Sequence, residues 1–584
     1  VFKDNTNFSL VGLTVGLIGC IFLFLNYLLA PGWNWLVADD FDSRLLTWIF
    51  EWGYKVIFEL KDPINFFNAN SFYPHNLTLV YSDSLLSGQL FYAPFRLLGI
   101  STIPALYAGL ALLTICSCCL TDRALLKFKF SHLERILIIA VSHFGLPITA
   151  FLGHYQLFGF QLVPPFCLYL YFYCNDLEKK HAFILSVIFS IAVLYAMYLV
   201  PMLIVVSLFS GTLILYSNFK KQVSTKEFIF KIFSSGLIFL FFAALLYFIQ
   251  FRFYLTAAGG LAEQSMLETA HYSGRILSIV RGFSLNSYWY SPSGYSVNGD
   301  WERAYFPGFI LLTSAVVLLA LKIAEIIGGV KVFNLKKDSN NNIEIDSLLN
   351  FLFIVFISSL VLSWGPFVGL DESKKLPFYY LSKIIPGLSN VRAPGRFGMF
   401  LCLPLGIFLV YLLRNWRIKE SRELIIKSLI VILCIVELLP SLKIFEVPYG
   451  KQQADYVSIK KYIKTNEPLI ELPVAAGGHI DTLKSVMAQL NASMIHGGRV
   501  VVGYGARDTV EYRELISLDQ QFQNGAATIQ NIIDYCNRLN IKKILIRKDR
   551  NFKEKYINLE KSIISLKQPI KVIYTDEKFA LLEL

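Results

Sequence analysis

A polytopic α-helical membrane protein with a small C-terminal α/β domain is the fold class this sequence predicts, and three observations predict it. Apolar stretches of span length recur along residues 1–440, and their middles are nearly free of charge. Crossing roughly 30 Å of hydrocarbon takes about 17–25 such residues. Of the 584 residues, 55% are hydrophobic and only 16% charged, with a mean hydropathy of +0.52; soluble domains carry about a quarter charged residues. Beyond residue 440 the pattern changes to short apolar runs and one helix-spaced segment, which read as a packed domain.

The apolar segments fall at 8–30, 99–119, 133–151, 156–174, 183–199, 201–217, 231–250, 306–326, 347–364, 397–413 and 424–440, about eleven candidate spans. The first is too long for a signal-peptide core and lacks a small-residue cleavage site, so it reads as a retained span. Residues 183–217 fit two short helices around Pro201 better than one kinked passage. Residues 85–98, with Pro94 and Arg96, suit a re-entrant or interfacial helix.

Charge placement orients the chain. Arg123, Lys127, Lys129 and Arg135; Lys179 and Lys180; Lys220, Lys221 and Lys226; Lys331, Lys336 and Lys337; and Arg414, Arg417, Lys419 and Arg422 sit on alternate loops. The positive-inside rule makes those loops cytoplasmic, with the N-terminus inside and residues 441–584 outside. The same rule accounts for the net charge of +12, and the composition excludes a soluble nucleic-acid binder. Eight of the nine cysteines lie in or beside apolar segments, so no disulfide framework is indicated.

The domain boundaries expected are therefore 1–440 for the transmembrane module and 441–584 for the external domain. In the latter, "PLIELPV" and "IKKILIRK" read as strands, "TIQNIIDYCNRLN" as a helix and "IKVIYTDEKFALLEL" as a hairpin. "GYGARD" at 503–508 lacks the spacing of a dinucleotide loop.

Chemistry concentrates in the external loops 31–98, 251–305 and 365–396. The stretch "LVADDFDSRLL" places Asp39, Asp40 and Asp42 at the outer end of the first span. Carboxylates there can act as general base for a hydroxyl, as metal ligands or as solvated charge. The D-x-D spacing of Asp40 and Asp42 suits a divalent cation such as Mg or Mn, though three residues specify little. Residues 43–60 read as an interfacial helix with Trp48 and Trp52 at headgroup depth. His75 and Asp83 follow among aromatics. Arg392 and Arg396 flank Pro394–Gly395 before a span, where two guanidiniums can clamp a lipid phosphate or snorkel to ordinary headgroups. Arg275 lies in the loop 251–305, together with Glu263, Glu268, His271, Arg281, Asp300, Glu302, Arg303 and the aromatic run "YWYSPSGY" (288–295). His154 and Gln156 occupy a short outer turn, "LGHYQLFG", that can approach the first loop.

A first span, a long external loop with an early acidic pair and a surface helix resemble the GT-C superfamily of integral membrane glycosyltransferases. The stretches "SFYPHNLTLVYSDSLLSGQLFYAPF", "GHYQLFGFQLVPPF", "IIPGLSNVRAPGRF", "LIELPV" and "HGGRVVVGYG" look like its bacterial and archaeal relatives near the YfhO-like membrane proteins. The resemblance implies transfer of a sugar from a polyprenyl-phosphate donor to an extracytoplasmic lipid, glycan or protein acceptor at a bacterial or archaeal cell membrane. It implies a catalytic base at Asp40 or Asp39, donor phosphate near Arg392 and Arg396, and a divalent cation in some members. A second catalytic carboxylate is not evident; Asp83, Glu263 and Asp300 are candidates. A lipid or lipid-linked glycan transporter and a non-catalytic assembly factor are the competing readings.

Overall fold

The structure, a computed structural model, describes residues 9–29, 32, 35–37, 42–149, 153–221, 225–258, 265–280, 303, 305–328, 341–416, 420–438, 446–448, 455–475, 479–504, 508–548 and 570–584. Among them, six helices are long and apolar enough to cross a membrane: Thr102–Leu126, Tyr155–Asp176, Leu199–Tyr216, Lys226–Ala257, Ile345–Ser363 and Pro394–Asn415. Leu10–Leu23 and Phe309–Ala324 are shorter apolar helices. The eleven predicted apolar segments fall on helix, but six described helices reach span length rather than the eleven expected, because several helices end early. His132–Phe144 stops at Gly145, for example, and Lys179–Tyr195 stops at Ala196, which leaves the helix in an extended conformation.

The first helix, α1 (Leu10–Leu23), runs against α2 (Thr102–Leu126) through a stripe of small residues. Gly12, Gly16 and Cys20 recur every four residues and are buried. A Cβ at Gly12 would stand 2.7 Å from the Cys118 carbonyl, so only glycine lets the two backbones approach this closely. Asp122 on α2 caps the start of α1. It accepts the Gly12 N–H at 3.0 Å and the Ser9 hydroxyl at 2.8 Å, while its other oxygen meets Arg135 of α3 (His132–Phe144) at 2.5 Å. Those acceptors satisfy donors that the first helical turn leaves unpaired.

Two helices do cover residues 183–217. They are α4 (Lys179–Tyr195) and α5 (Leu199–Lys221), and the break at residues 196–198 precedes Pro201. Pro201 sits in the first turn of α5, where its missing N–H costs no helical hydrogen bond.

The C-terminal part carries a five-stranded sheet whose second strand is Pro468–Leu472. It is parallel to Arg499–Val500 on one side and to Lys543–Arg547 on the other; the antiparallel hairpin Lys571–Thr575/Phe579–Glu583 closes that second side. The strands Pro468–Leu472 and Lys543–Arg547, the helix Ile529–Arg538 and the hairpin fall where the sequence pattern puts them, whereas the short strand Arg499–Val500 was not expected. Ile470, Leu472 and Ile544–Ile546 in these strands are buried, and the buried Glu471 among them pairs with Arg547 at 3.2 Å.

This sheet is tightly docked. The N–H groups of Phe72 and Tyr73 donate to the carbonyls of Val502 and Val500, and Val500 N–H donates back to Asn70. Asn70 Nδ2 donates to Ser493 Oγ at 2.9 Å, Lys55 Nζ to Met494 O at 3.1 Å, and Asn491 Nδ2 to Arg44 O at 3.3 Å. A two-stranded ladder, Trp35–Val37 against Glu446–Pro448, adds a further tie.

Docking overturns the expected surface helix. Residues 42–54 do form a helix, but it is buried between the bundle and the helix His479–His496. Trp48 keeps 3% of its area exposed, and Trp52 donates its indole N–H to Phe66 O at 2.8 Å. Packing by the C-terminal sheet region outweighs the interfacial preference of the two indoles.

Candidate active site

The buried helix begins at Asp42. A carboxylate in a first helical turn faces the positive end of the helix dipole. The next residue fixes where that turn sits: Ser43 Oγ donates to Gly153 O at 3.1 Å, while its carbonyl accepts the Thr47 hydroxyl. The chain then turns through His154 into a 3-10 segment, Tyr155–Leu162. His154 is buried, and its Nδ1 lies 3.0 Å from Asp42 Oδ2. Asp42 keeps 24% of its side-chain area accessible, so the pair is open to solvent from the carboxylate side.

Arg392 and Arg396 approach the same carboxylate from the stretch preceding helix Cys402–Asn415. Burial alone would raise the Asp42 pKa. The His154 charge and hydrogen bond outweigh it, the charges of Arg392 and Arg396 add to them, and the carboxyl is held below its usual range. Each guanidinium stacks on an aromatic ring: Arg392 over Tyr272 at 4.8 Å and Arg396 over Tyr198 at 5.3 Å. Arg392 is exposed and Arg396 half-buried, and the intervening Ala393, Pro394 and Gly395 are buried. A rigid buried turn thus presents two cations on one side.

Asp83 reaches this cluster from the loop preceding helix Gln89–Leu97. It accepts the Met197 N–H at 2.8 Å. Burial pushes its carboxyl up to about 6, against the opposing pull of that N–H and of Arg396.

Asp42, His154, Asp83, Arg392 and Arg396, distant in sequence, are therefore gathered. His75 stands elsewhere: its Nε2 pairs with Glu511 Oε2 at 2.7 Å in the seam with the C-terminal sheet region. Arg275 is exposed; its N–H donates to Ser278 Oγ at 2.8 Å and its carbonyl accepts the Tyr305 hydroxyl at 3.3 Å. The same segment supplies Tyr272 beneath Arg392. Asp39, Asp40, Glu263, Arg281, residues 288–295, Asp300 and Glu302 lie outside the described residues. Sequence reasoning missed Tyr198, Tyr272 and the Met197 N–H. The aromatic content carried a hint of the rings, but nothing local marks which ring lies under which arginine.

Of the expected D-x-D cation site only Asp42 is described, since Asp40 lies outside the described residues. The Asp42 carboxylate stands beside the His154 imidazole and within electrostatic reach of two guanidiniums, which compete with a cation for it. A group able to hold such an ion does exist: Asp176, Glu178 and His181 bring one ligand atom each within 4.8 Å of one another. They lie at the far end of Tyr155–Asp176 from His154. Lys127 Nζ is 2.6 Å from His181 Nε2, and Lys180 Nζ is 2.5 Å from Glu178 Oε2.

The sequence matches no family model, and no curated protein matches it. Among solved structures, the chain is similar to the archaeal oligosaccharyltransferase AglB from Archaeoglobus fulgidus, determined in complex with an inhibitory peptide and a dolichol-phosphate. The TM-score is 0.43 and the identity 10%, over 92% of this chain and 69% of that one.

Proposed function

We propose that this protein is a membrane glycosyltransferase of the GT-C kind, moving a sugar from a polyprenyl-phosphate donor to a hydroxyl or amide acceptor outside the cytoplasm. The observation that carries the reading is the meeting of Asp42 and His154 with Arg392 and Arg396. A base-type carboxylate and a paired phosphate clamp are the two parts such a transfer needs. The positive-inside pattern supports an outer-leaflet position for this end of the bundle, where a polyprenyl donor would present its sugar.

In this mechanism Arg392 and Arg396 hold the donor phosphate bidentately. Asp42, oriented by His154, accepts the proton of the acceptor as its oxygen or nitrogen attacks the anomeric carbon. The bond from that carbon to the phosphate oxygen breaks, and the electron pair leaves with polyprenyl phosphate, whose charge the guanidiniums stabilise. One direct displacement inverts the anomeric centre. Asp40 and Asp39 precede Asp42 closely and are the alternative bases.

Purified protein and its Asp42→Asn and Asp40→Asn variants test this against a panel of polyprenyl-phosphate sugars. Transfer that is lost in Asp42→Asn supports the assignment. Equal transfer by both Asp42→Asn and wild type removes Asp42 as base, and no transfer by wild type removes the reading.

A lipid or lipid-linked glycan transporter is the second reading. It is favoured by polar groups buried among the helices: Asp122 with Arg135, and His143 between Thr121 (2.9 Å) and Gln161 (2.8 Å). Movement of labelled lipid across proteoliposomes without sugar transfer selects it.

A further inference from the structure

Asp83 touches the arginine clamp by two routes. Its Oδ1 accepts the Met197 N–H in the break between α4 and α5. The next residue, Tyr198, donates its hydroxyl to the Gln156 carbonyl at 3.3 Å and lies beneath the Arg396 guanidinium. Arg396 is also within electrostatic reach of Asp83 itself. The loop that carries Asp83 is pinned on both sides: Tyr254 donates its hydroxyl to Ser82 O at 2.7 Å, and Ser84 Oγ donates to Gln250 Oε1 at 2.9 Å. The other titratable groups facing Asp83 are Tyr195 of α4 and Tyr254, both phenols. Phenols stay uncharged near neutral pH, so Arg396 is the single cation acting on this carboxylate among the described residues.

We propose that Asp83 is a positioning residue for Arg396: it fixes the Met197–Tyr198 platform under the guanidinium and balances its charge until a lipid phosphodiester takes that charge over. The inference rests on the reading of Arg396 as a ligand of the donor phosphate. Once the phosphodiester arrives, it competes with Asp83 and Asp42 for the Arg396 charge, and Asp83, the buried carboxylate with the raised pKa, relieves the repulsion by taking up a proton. Burial has already brought Asp83 to about 6, so this uptake is easy near neutral pH. Donor binding therefore draws a proton onto Asp83 and tightens as pH falls. A phosphodiester holds one negative charge throughout this range, so the dependence belongs to the protein.

The test is binding of farnesyl methyl phosphate, a lipid phosphodiester, to the full chain in detergent at pH 5.5 and 7.5. Wild type, Asp83→Asn, Asp83→Ala and Arg396→Ala are compared, with Tm measured for each. Wild type tightens roughly tenfold on acidification, equivalent to about one pKa unit. Asp83→Asn keeps an acceptor for Met197 but no charge; it binds at pH 7.5 as tightly as wild type does at pH 5.5, with no pH dependence. Asp83→Ala loses the platform as well and binds more weakly than Asp83→Asn at both pH values. The proposal is overturned if Asp83→Asn keeps the wild-type pH slope, or if it and Asp83→Ala bind alike. If wild type and Arg396→Ala bind the probe equally at both pH values, Arg396 is not a phosphate ligand, and the donor reading falls together with this one.

Discussion

His154 Nδ1 stands 3.0 Å from Asp42 Oδ2, across 112 positions of sequence, and joins the start of a buried helix to the turn between two apolar segments. The imidazole is buried and the carboxylate partly open, and in the proposed mechanism the histidine orients the aspartate that takes the proton. Asp42→Asn is expected to lower kcat by about 10²-fold or more, the scale of a lost general base. His154→Gln keeps a hydrogen-bonding group and loses less. Because the Asp42 pKa is depressed, its ionised form is fully present above the ordinary carboxylate range. Activity is lost on the acid side only as pH falls through the lowered value. A pH–rate profile that falls off at or above the ordinary carboxylate range contradicts this.

Arg392 and Arg396 are expected to act on the donor more than on the acceptor. Arg396→Lys keeps the charge but loses the planar fork and the stacking on Tyr198. Donor KM should rise about tenfold while acceptor KM stays within about twofold, each tenfold corresponding to about 1.4 kcal/mol. Equal changes in both Michaelis constants contradict a phosphate clamp.

Asp122 and Arg135 make a buried pair that also caps α1. Removing one partner strands a charge, so Asp122→Ala and Arg135→Ala should each destabilise the protein by about 3–5 kcal/mol. Replacing both together should cost less than the sum of the two. Thermal unfolding in detergent reads this directly, and additive losses count against the pairing.

His496 is 2% exposed, and burial, with Lys55 nearby, pushes its pKa down to about 3. Its Nδ1 accepts the Gly498 N–H at 3.0 Å. The unfolded chain binds a proton below about 6.5 that the folded one refuses, so stability falls as pH drops from there toward 3. His496→Gln should flatten that slope in chemical denaturation of the full chain between pH 4 and 7. An unchanged slope means other groups control it.

Gly503 lies against the Phe72 ring, where an added Cβ would come within 2.2 Å. Gly503→Ala is expected to loosen the seam between residues 70–73 and 500–502. The Tm of the full chain in detergent should then fall. A Tm equal to wild type shows that Phe72 yields without opening the seam.

Much of the architecture was legible because it is written locally. The apolar segments needed only length, and the strands at 468–472 and 543–547 needed only short apolar runs. His154 was readable as a residue able to approach the first loop, because a short turn restricts where it can go. That Asp42 begins a helix and meets this histidine was not readable, since D-x-D spacing carries no such information; Asp39 and Asp40 lie outside the described residues. Trp48 and Trp52 misled for a similar reason. An amphipathic segment has the same pattern whether lipid or another domain covers it, and only the fold shows that His479–His496 lies there. Tyr198 and Tyr272 owe their roles to contacts across the chain.

The seam between residues 70–73 and 500–502 also imposes an order of assembly. The helix that begins at Asp42 is translated early, yet the surface burying its two tryptophans is made more than four hundred residues later. Until that last portion has been made and folded, the helix lacks its partner on that side. A chain that stops short of it therefore leaves the helix beginning at Asp42 uncovered where His479–His496 would lie.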